Sequence, residues 1–210
     1  MNKKIKVPRQ VRSQQVKEKI FQTALELMLG HGYEYVTVSN VCTAAGISTG
    51  SFYHQFSNKD ELLSYYFVHG IRKYQKRFDE IKGPDIVKVT TAMYEVHVQH
   101  CLDQGIGFIK SFYTPHNQGL SARPSTEYTS VNLPIVTRST NEFSLARESG
   151  HLPEECNPRD LAVELCILVK GCIFEWCVEN GGFDLMQLSQ KMIKQYMHGA
   201  VTPKYFADFP

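Results

Sequence analysis

The stretch from Thr37 to Phe56, TVSNVCTAAGISTGSFYHQF, leaves the chain few ways to fold. Val38 and Val41 are apolar positions of one short helix, and Ala44 and Ala45 are small residues at its end. Gly46 follows where a C-terminal cap needs a positive φ, which glycine adopts without the steric cost of a Cβ. Ile47 then reads as a buried plug. Ser48 is placed to N-cap a second helix, its hydroxyl accepting from backbone N–H groups that the helix leaves unbonded. That second helix carries Thr49, Ser51, Tyr53, His54 and Gln55, with Phe52 and Phe56 on the inward face. A pair of helices joined this way can lay its second member in the DNA major groove.

The motifs run in order: T-V-x-x-V from Thr37, A-G-I-S-x-G-x-F-Y-x-x-F from Ala45, then N-K-D-E-L-L from Asn58. Over about Gln10 to Tyr66 the chain resembles the N-terminal DNA-binding domain of the TetR family of bacterial transcriptional regulators. The resemblance implies an all-α protein of about nine helices. Residues 1–58 would form a three-helix helix-turn-helix DNA-binding domain. Residues 59–210 would form a helical ligand-binding and dimerisation domain, with a helix from 59 to 82 connecting the two.

By the same resemblance Thr37 and Ser39 lie where family members touch the DNA backbone. Ser48, Thr49, Gly50 and Ser51 stand at the end of the reading helix that points to the groove, and Gly50 permits close approach. Tyr53 and His54 match positions that contact backbone and sometimes bases. Lys59 matches a phosphate contact at the start of the following helix, where the helix dipole also favours an anion. Gln55 departs from the family's frequent histidine, although a glutamine can still donate to a phosphate oxygen. None of these is an arginine aimed at a guanine edge, so the target sequence is not legible.

The formal net charge of +2 does not by itself argue for nucleic acid. Its distribution does. Lys3, Lys4, Lys6, Arg9, Arg12, Lys17 and Lys19 face only Glu18 before Ile20, a basic arm that could track phosphates. No apolar run is long enough to span a bilayer, and the basic N-terminus lacks the apolar core of a signal peptide, so a cytoplasmic protein is expected. The six cysteines contain no C-x-x-C pair and read mostly as small buried apolar residues.

Apolar residues at helical spacing predict a first helix from about Ser13 to Leu29, broken by Gly30 and Gly32. Asn58 and Glu61 have capping-box spacing at the start of the helix that runs to Lys82. Further helices are expected over about Asp85–Gln104, Ile106–Tyr113, Pro134–Arg147, Arg159–Glu179 and Leu185–His198. Thr114 to Pro124 reads as a loop, with Pro115, Gly119 and Pro124. Ile135, Phe143 and Leu145 are expected inward on the helix from Pro134. Leu185, Leu188, Met192, Ile193 and Tyr196 form the expected buried side of the last helix.

The helix from Arg159 is apolar over a broad face. Leu161, Leu165, Leu168, Cys172 and Trp176 make one row, and Ala162, Cys166, Val169, Ile173 and Cys177 its neighbour. So broad a face calls for two partners, the chain's own core and a second copy, with Gly171 letting backbones approach. In the resembling family the last two long helices form the dimer interface. In the tail, Tyr205, Phe206 and Phe209 are candidates to dock on the body.

No catalytic or phosphate-loop signature appears, so no enzyme and no cofactor are expected. Spacings of three and four put His97 near His100 and Cys101 on one helical face, and His116 could join them around a metal. The alternative is a helix whose histidines line a cavity. Met93, His97, Phe108, Phe112, Tyr113, Phe143 and Trp176 could line a ligand pocket or form a plain core. The expected protein is a homodimeric regulator on double-stranded operator DNA, a repressor released by a small-molecule effector and without a membrane partner. The alternative is a DNA-bound module whose C-terminal domain binds a protein partner or a metal.

Overall fold

The computed structural model describes residues 9–114 and 134–210. Lys3, Lys4 and Lys6 of the basic arm lie outside the described residues, as do His116, Pro115, Gly119 and Pro124. Among the described residues the chain is all-α, with eleven α-helices, two 3-10 turns and no strand. It divides into two compact units, Met1–His69 and Gly70–Pro210.

In the first unit α1 (Arg9–His31) is followed by a 3-10 turn (Tyr33–Tyr35), α2 (Val38–Ala45), α3 (Thr49–Tyr53) and α4 (Lys59–Gly70). The first helix runs through Gly30, where a break was expected. Gly32 ends it instead, at φ 81°, with its N–H bonded to the Met28 carbonyl at 2.9 Å. Ile20 and Ala24 of α1 meet Val36, Val41, Cys42, Phe52, Phe56 and Leu62 in one core, flanked by Val16, Leu27, Met28, Ile47 and Tyr65. The capping box at the start of α4 is formed. Asn58 Oδ1 accepts from the Glu61 N–H at 2.8 Å, and Glu61 Oε2 accepts from the Ser57 N–H at 2.7 Å.

The second unit contains a 3-10 turn (Ile71–Tyr74), α5 (Gln75–Glu80), α6 (Ile86–Gln104) and α7 (Ile106–Phe112). It continues with α8 (Pro134–Glu148), α9 (Pro158–Val178), α10 (Leu185–Ala200) and α11 (Pro203–Asp208). The helix α6 packs on α8 and α10, and α9 packs on the same two helices. Asp85, Asn157, Asp184 and Thr202 each cap a helix through a side-chain oxygen. The Arg138 guanidinium on α8 donates to the carbonyls of Phe78 and Ile81 at the end of α5, where a cation suits the helix dipole.

The continuous helix expected over 59–82 is instead α4, a 3-10 turn and α5. Gly70 marks the change. A Cβ there would lie 2.8 Å from Cε1 of the buried His100, so any other residue would require that ring to shift, and glycine is a poor helix former. Beyond it Asp103 of α6 gathers the turn. It accepts from Lys73 Nζ at 3.2 Å, from the Tyr74 hydroxyl, and from Gln99 Nε2 at 2.7 Å.

Two inward faces also differ from expectation. Leu145 is 61% exposed, because the buried row of α8 is Ile135, Val136, Ser139, Phe143 and Ala146. On α10 the buried row is Leu185, Ser189, Ile193 and Met197, a strict i, i+4 series, which leaves Met192 exposed and Leu188 and Tyr196 half-buried. The tail does dock through Tyr205, whose hydroxyl donates to Asp85 at 2.8 Å, while Phe206 stays largely exposed.

The hydrogen bond from Tyr74, then that from Gln99, with Lys73 alongside, hold the Asp103 carboxyl at a pKa of about 2, below its ordinary 3.8. A carboxylate depressed in the folded state stabilises above its unfolded pKa and loses that contribution as pH falls through the folded one. Parent and Asp103→Asn should therefore differ in thermal midpoint above pH 3.8 and converge as pH approaches about 2. A melting series over that range reads the convergence.

Candidate nucleic-acid interface

The geometry of α2, its turn and α3 follows from three small polar or flexible residues. The Thr37 hydroxyl accepts from the Asn40 N–H at 3.1 Å and starts α2. Gly46 ends α2 in the left-handed region, at φ 61° and ψ 42°. Its N–H and that of Ile47 return to the Thr43 and Cys42 carbonyls at 3.2 and 3.0 Å. Ile47 then packs against the core. The Ser48 hydroxyl caps α3 by accepting from the Ser51 N–H at 3.1 Å, and it lies 2.9 Å from the Ser51 hydroxyl.

The helix α3 is only five residues long, continued by turns through Phe56. Phe52 and Phe56 are fully buried, with ring centroids 5.9 Å apart. Their burial fixes the opposite face outward. Thr49, Gly50, Tyr53 and His54 are exposed there, and Tyr53 reaches 54%. Thr37, Ser39 and Ser48 are exposed beside them, and Ser51 is half-buried. A Cβ on Gly50 would meet nothing nearer than Ser48 Oγ at 3.9 Å, so packing within the chain does not require glycine there.

Two of the expected residues are engaged inside the unit. The Gln55 amide nitrogen donates to Ser13 Oγ at 3.0 Å, and that hydroxyl lies 3.3 Å from Gln55 Oε1. Lys59 sits half-buried with Nζ 4.0 Å from the Tyr33 ring centroid. Burial lowers its pKa, against the opposing pull of Glu34 and Asp60. Next to this face is a groove of about 630 Å³, lined by Gln10, Arg12, Ser13 and Val16 of α1 and by Ser51, His54 and Gln55. Ser13 is not legible in the sequence, because its role depends on a partner forty-two residues away in the chain.

In the second unit the seven candidate pocket residues Met93, His97, Phe108, Phe112, Tyr113, Phe143 and Trp176 are all buried. The structure joins some of them directly. His97 Nε2 and Cys101 Sγ lie 3.3 and 3.7 Å from the Tyr113 hydroxyl. Phe108 and Phe112 stack with centroids 5.5 Å apart. Burial first, then His100 and Lys170, lowers the His97 pKa to about 3. Burial pushes the Cys101 thiol up to about 12 against a hydrogen bond from Tyr113. This polar knot is uncharged at neutral pH.

Among the described residues the metal set weighed as an alternative for His97, His100 and Cys101 does not form. His97 turns to Tyr113, whereas His100 Nδ1 lies 3.4 Å from Gln104 Nε2 and its ring meets Tyr74 edge-on at 5.7 Å. Among the described residues no three His, Cys, Asp or Glu side chains converge as a metal site.

Residues 20–66 match the family model described as bacterial regulatory proteins, tetR family. A comparison with curated proteins gave no match. Among solved structures the chain is similar to Thermus thermophilus FadR, a TetR-family transcriptional repressor in complex with lauroyl-CoA. That alignment has a TM-score of 0.73 at 19% identity, covering 87% of this chain and 94% of that one. Bacillus subtilis FadR in complex with stearoyl-CoA aligns at TM-score 0.62 and 17% identity, covering 87% and 98%. RolR in complex with resorcinol aligns at 0.64 and 17%, covering 91% and 90%. At these identities the likeness is one of fold.

The buried imidazole gives a direct check. Because its folded pKa lies below the ordinary 6.5, the unfolded state takes up the proton first, and stability falls as pH drops from 6.5 towards 3. By NMR the His97 ring should keep the shifts of the neutral form down to pH 5 in the folded protein, and titration near the ordinary value would contradict its placement.

Proposed function

We propose that this chain, whose residues 20–66 match the model of the TetR family of bacterial regulatory proteins, is a homodimeric repressor released from its operator by an organic effector. It is a regulator and not an enzyme. The observation that carries the DNA-reading role is the exposed set Thr49, Gly50, Tyr53 and His54 on α3, held outward by a fully buried Phe52. Thr37, Ser39 and Ser48 extend that face toward the DNA backbone. Ser51, Gln55 and Lys59 complete it, Gln55 as a wall of the adjoining groove while still bonded to Ser13, and Lys59 after leaving the Tyr33 ring that it holds in the free protein.

The dimer surface is a stripe on α9. Ile167, Phe174 and Val178 are 58, 54 and 54% exposed, and the exposed Gly171 lies between them. Their spacings of four, three and four put them on one face. Nothing lies within 4 Å of a Cβ built on Gly171, so a second backbone has room to approach. A contiguous apolar stripe of this kind supports association with a second copy. The rows named from sequence, Leu161 to Trp176 and Ala162 to Cys177, lie in the monomer's own core apart from the half-buried Leu168. The exposed Met192 on α10 would join the surface.

Two copies of α3 would then enter successive major grooves about 34 Å apart. The aromatic core of the second unit, uncharged at His97, Cys101 and Tyr113, suits an effector with an apolar body and a hydrogen-bonding group. The solved neighbours hold an acyl-CoA or a small phenol, which supports an organic ligand as a class. Such a ligand shifts the balance between DNA-competent and released shapes only by its differential affinity for them. Action in the cytoplasm is part of this proposal. No helix among the described residues is long and apolar enough to cross a membrane.

Tyr53→Ala should lose operator binding, read by fluorescence anisotropy on fragments selected from genomic DNA, while sedimentation still shows a dimer. Binding at the parent's level would remove Tyr53 from the interface. Phe174→Glu should shift the protein to monomer and weaken operator binding at least tenfold, with helical content unchanged by circular dichroism. A dimer as stable as the parent's would place the interface elsewhere.

A further inference from the structure

Resting on the reading role of α3, we propose that the groove between the start of α1 and the end of α3 seats the sugar–phosphate backbone of one DNA strand, with Arg12 as its binding cation. The groove holds about 630 Å³ and is lined by α1 residues and by Ser51, His54 and Gln55 at and beyond the end of α3. Ser51 and His54 belong to it and to the reading helix, so a duplex lying against α3 passes its mouth. Among the described residues that line it Arg12 carries a charge and no carboxylate does, so its electrostatic complement is an anion. Arg12 and Gln10 are exposed and therefore able to donate to phosphate oxygens, and Val16 offers an apolar wall to a deoxyribose.

Ser13 has a different part. Its hydrogen bonds with Gln55 tie the end of α3 to α1, forty-two residues away in the chain. The tie fixes the two walls relative to each other, so Ser13 is a positioning residue acting through Gln55. It also commits the Gln55 amide, which leaves the ionic contact in the groove to Arg12.

The salt dependence of binding separates these roles. A phosphate contact releases a counterion, so its loss lowers the slope of log K against log salt by about one and weakens all sequences alike. The probes are a fluorescein-labelled mixed-sequence duplex and an operator fragment selected from genomic DNA, with full-length protein. Arg12→Ala should lose affinity by the same factor on both probes and show the reduced slope, about a 3-fold smaller loss of affinity between 50 and 200 mM salt. Arg12→Lys should restore the slope. Ser13→Ala should weaken binding with the slope intact.

A parental slope in Arg12→Ala would overturn the inference while leaving the reading by α3 in place, provided Tyr53→Ala still loses the operator. A parent that binds neither duplex would overturn both together. Arg12 is exposed, so its replacement leaves the core of the unit untouched and the result is one of binding.

Discussion

The burial of Phe52 and Phe56 governs the first unit. A five-residue helix cannot hold itself in water, because helix nucleation is costly and only a few hydrogen bonds repay it. The two rings supply the missing stability, since removing a buried phenylalanine typically costs about 3–5 kcal/mol. They also fix the helix's rotation about its own axis. With Phe52 and Phe56 pointing in, Tyr53 and His54 have only solvent to face. The exposed face is thus a consequence of the core, and a change in the core would rotate the face along with it.

The second unit holds a different constraint, a cluster of neutral polar groups buried around Tyr113. His97, Cys101 and Tyr113 meet in a space where ionising any of them is costly, so the three remain neutral partners. Neutral polar groups among stacked rings discriminate by shape and hydrogen bonding, and they give an anionic or cationic ligand head no counter-charge at that point. In the proposed regulator, a ligand that brings an apolar, uncharged part to these groups meets this condition. So does a small neutral aromatic.

What could be read from the sequence was what depends on neighbours in the chain. Thr37, Gly46, Ser48, Asn58 and Glu61 cap or turn as their chemistry requires, because a cap is satisfied within a few residues. The all-α character followed from periodicity in the same way. What could not be read depends on residues far apart. The close approach of the His100 ring to Gly70 comes from another helix, and the engagement of Gln55 is set by Ser13. Leu145 faces solvent because Ala146, although smaller, holds the position that closes on the core. The metal set failed for a related reason. Shared helical spacing placed His97 and His100 near each other, but each ring turned to a tyrosine on a different segment.

The helix α9 shows why a proposed ligand signal need not travel far. Ile173, Trp176 and Cys177 are buried in the core, while Phe174 and Val178 are exposed one residue away. Main-chain hydrogen bonds make the helix rigid, so a residue on one face cannot shift by much without carrying the other face with it. In the proposed dimer, a ligand that displaces Trp176 would therefore tilt the stripe on which the second copy rests. Close packing makes such a displacement a change between discrete arrangements and not a continuous yield. The free energy for that change has to come from the ligand's preference for one arrangement, so release of DNA would follow the difference between its affinities for the two arrangements and not its affinity for the core alone.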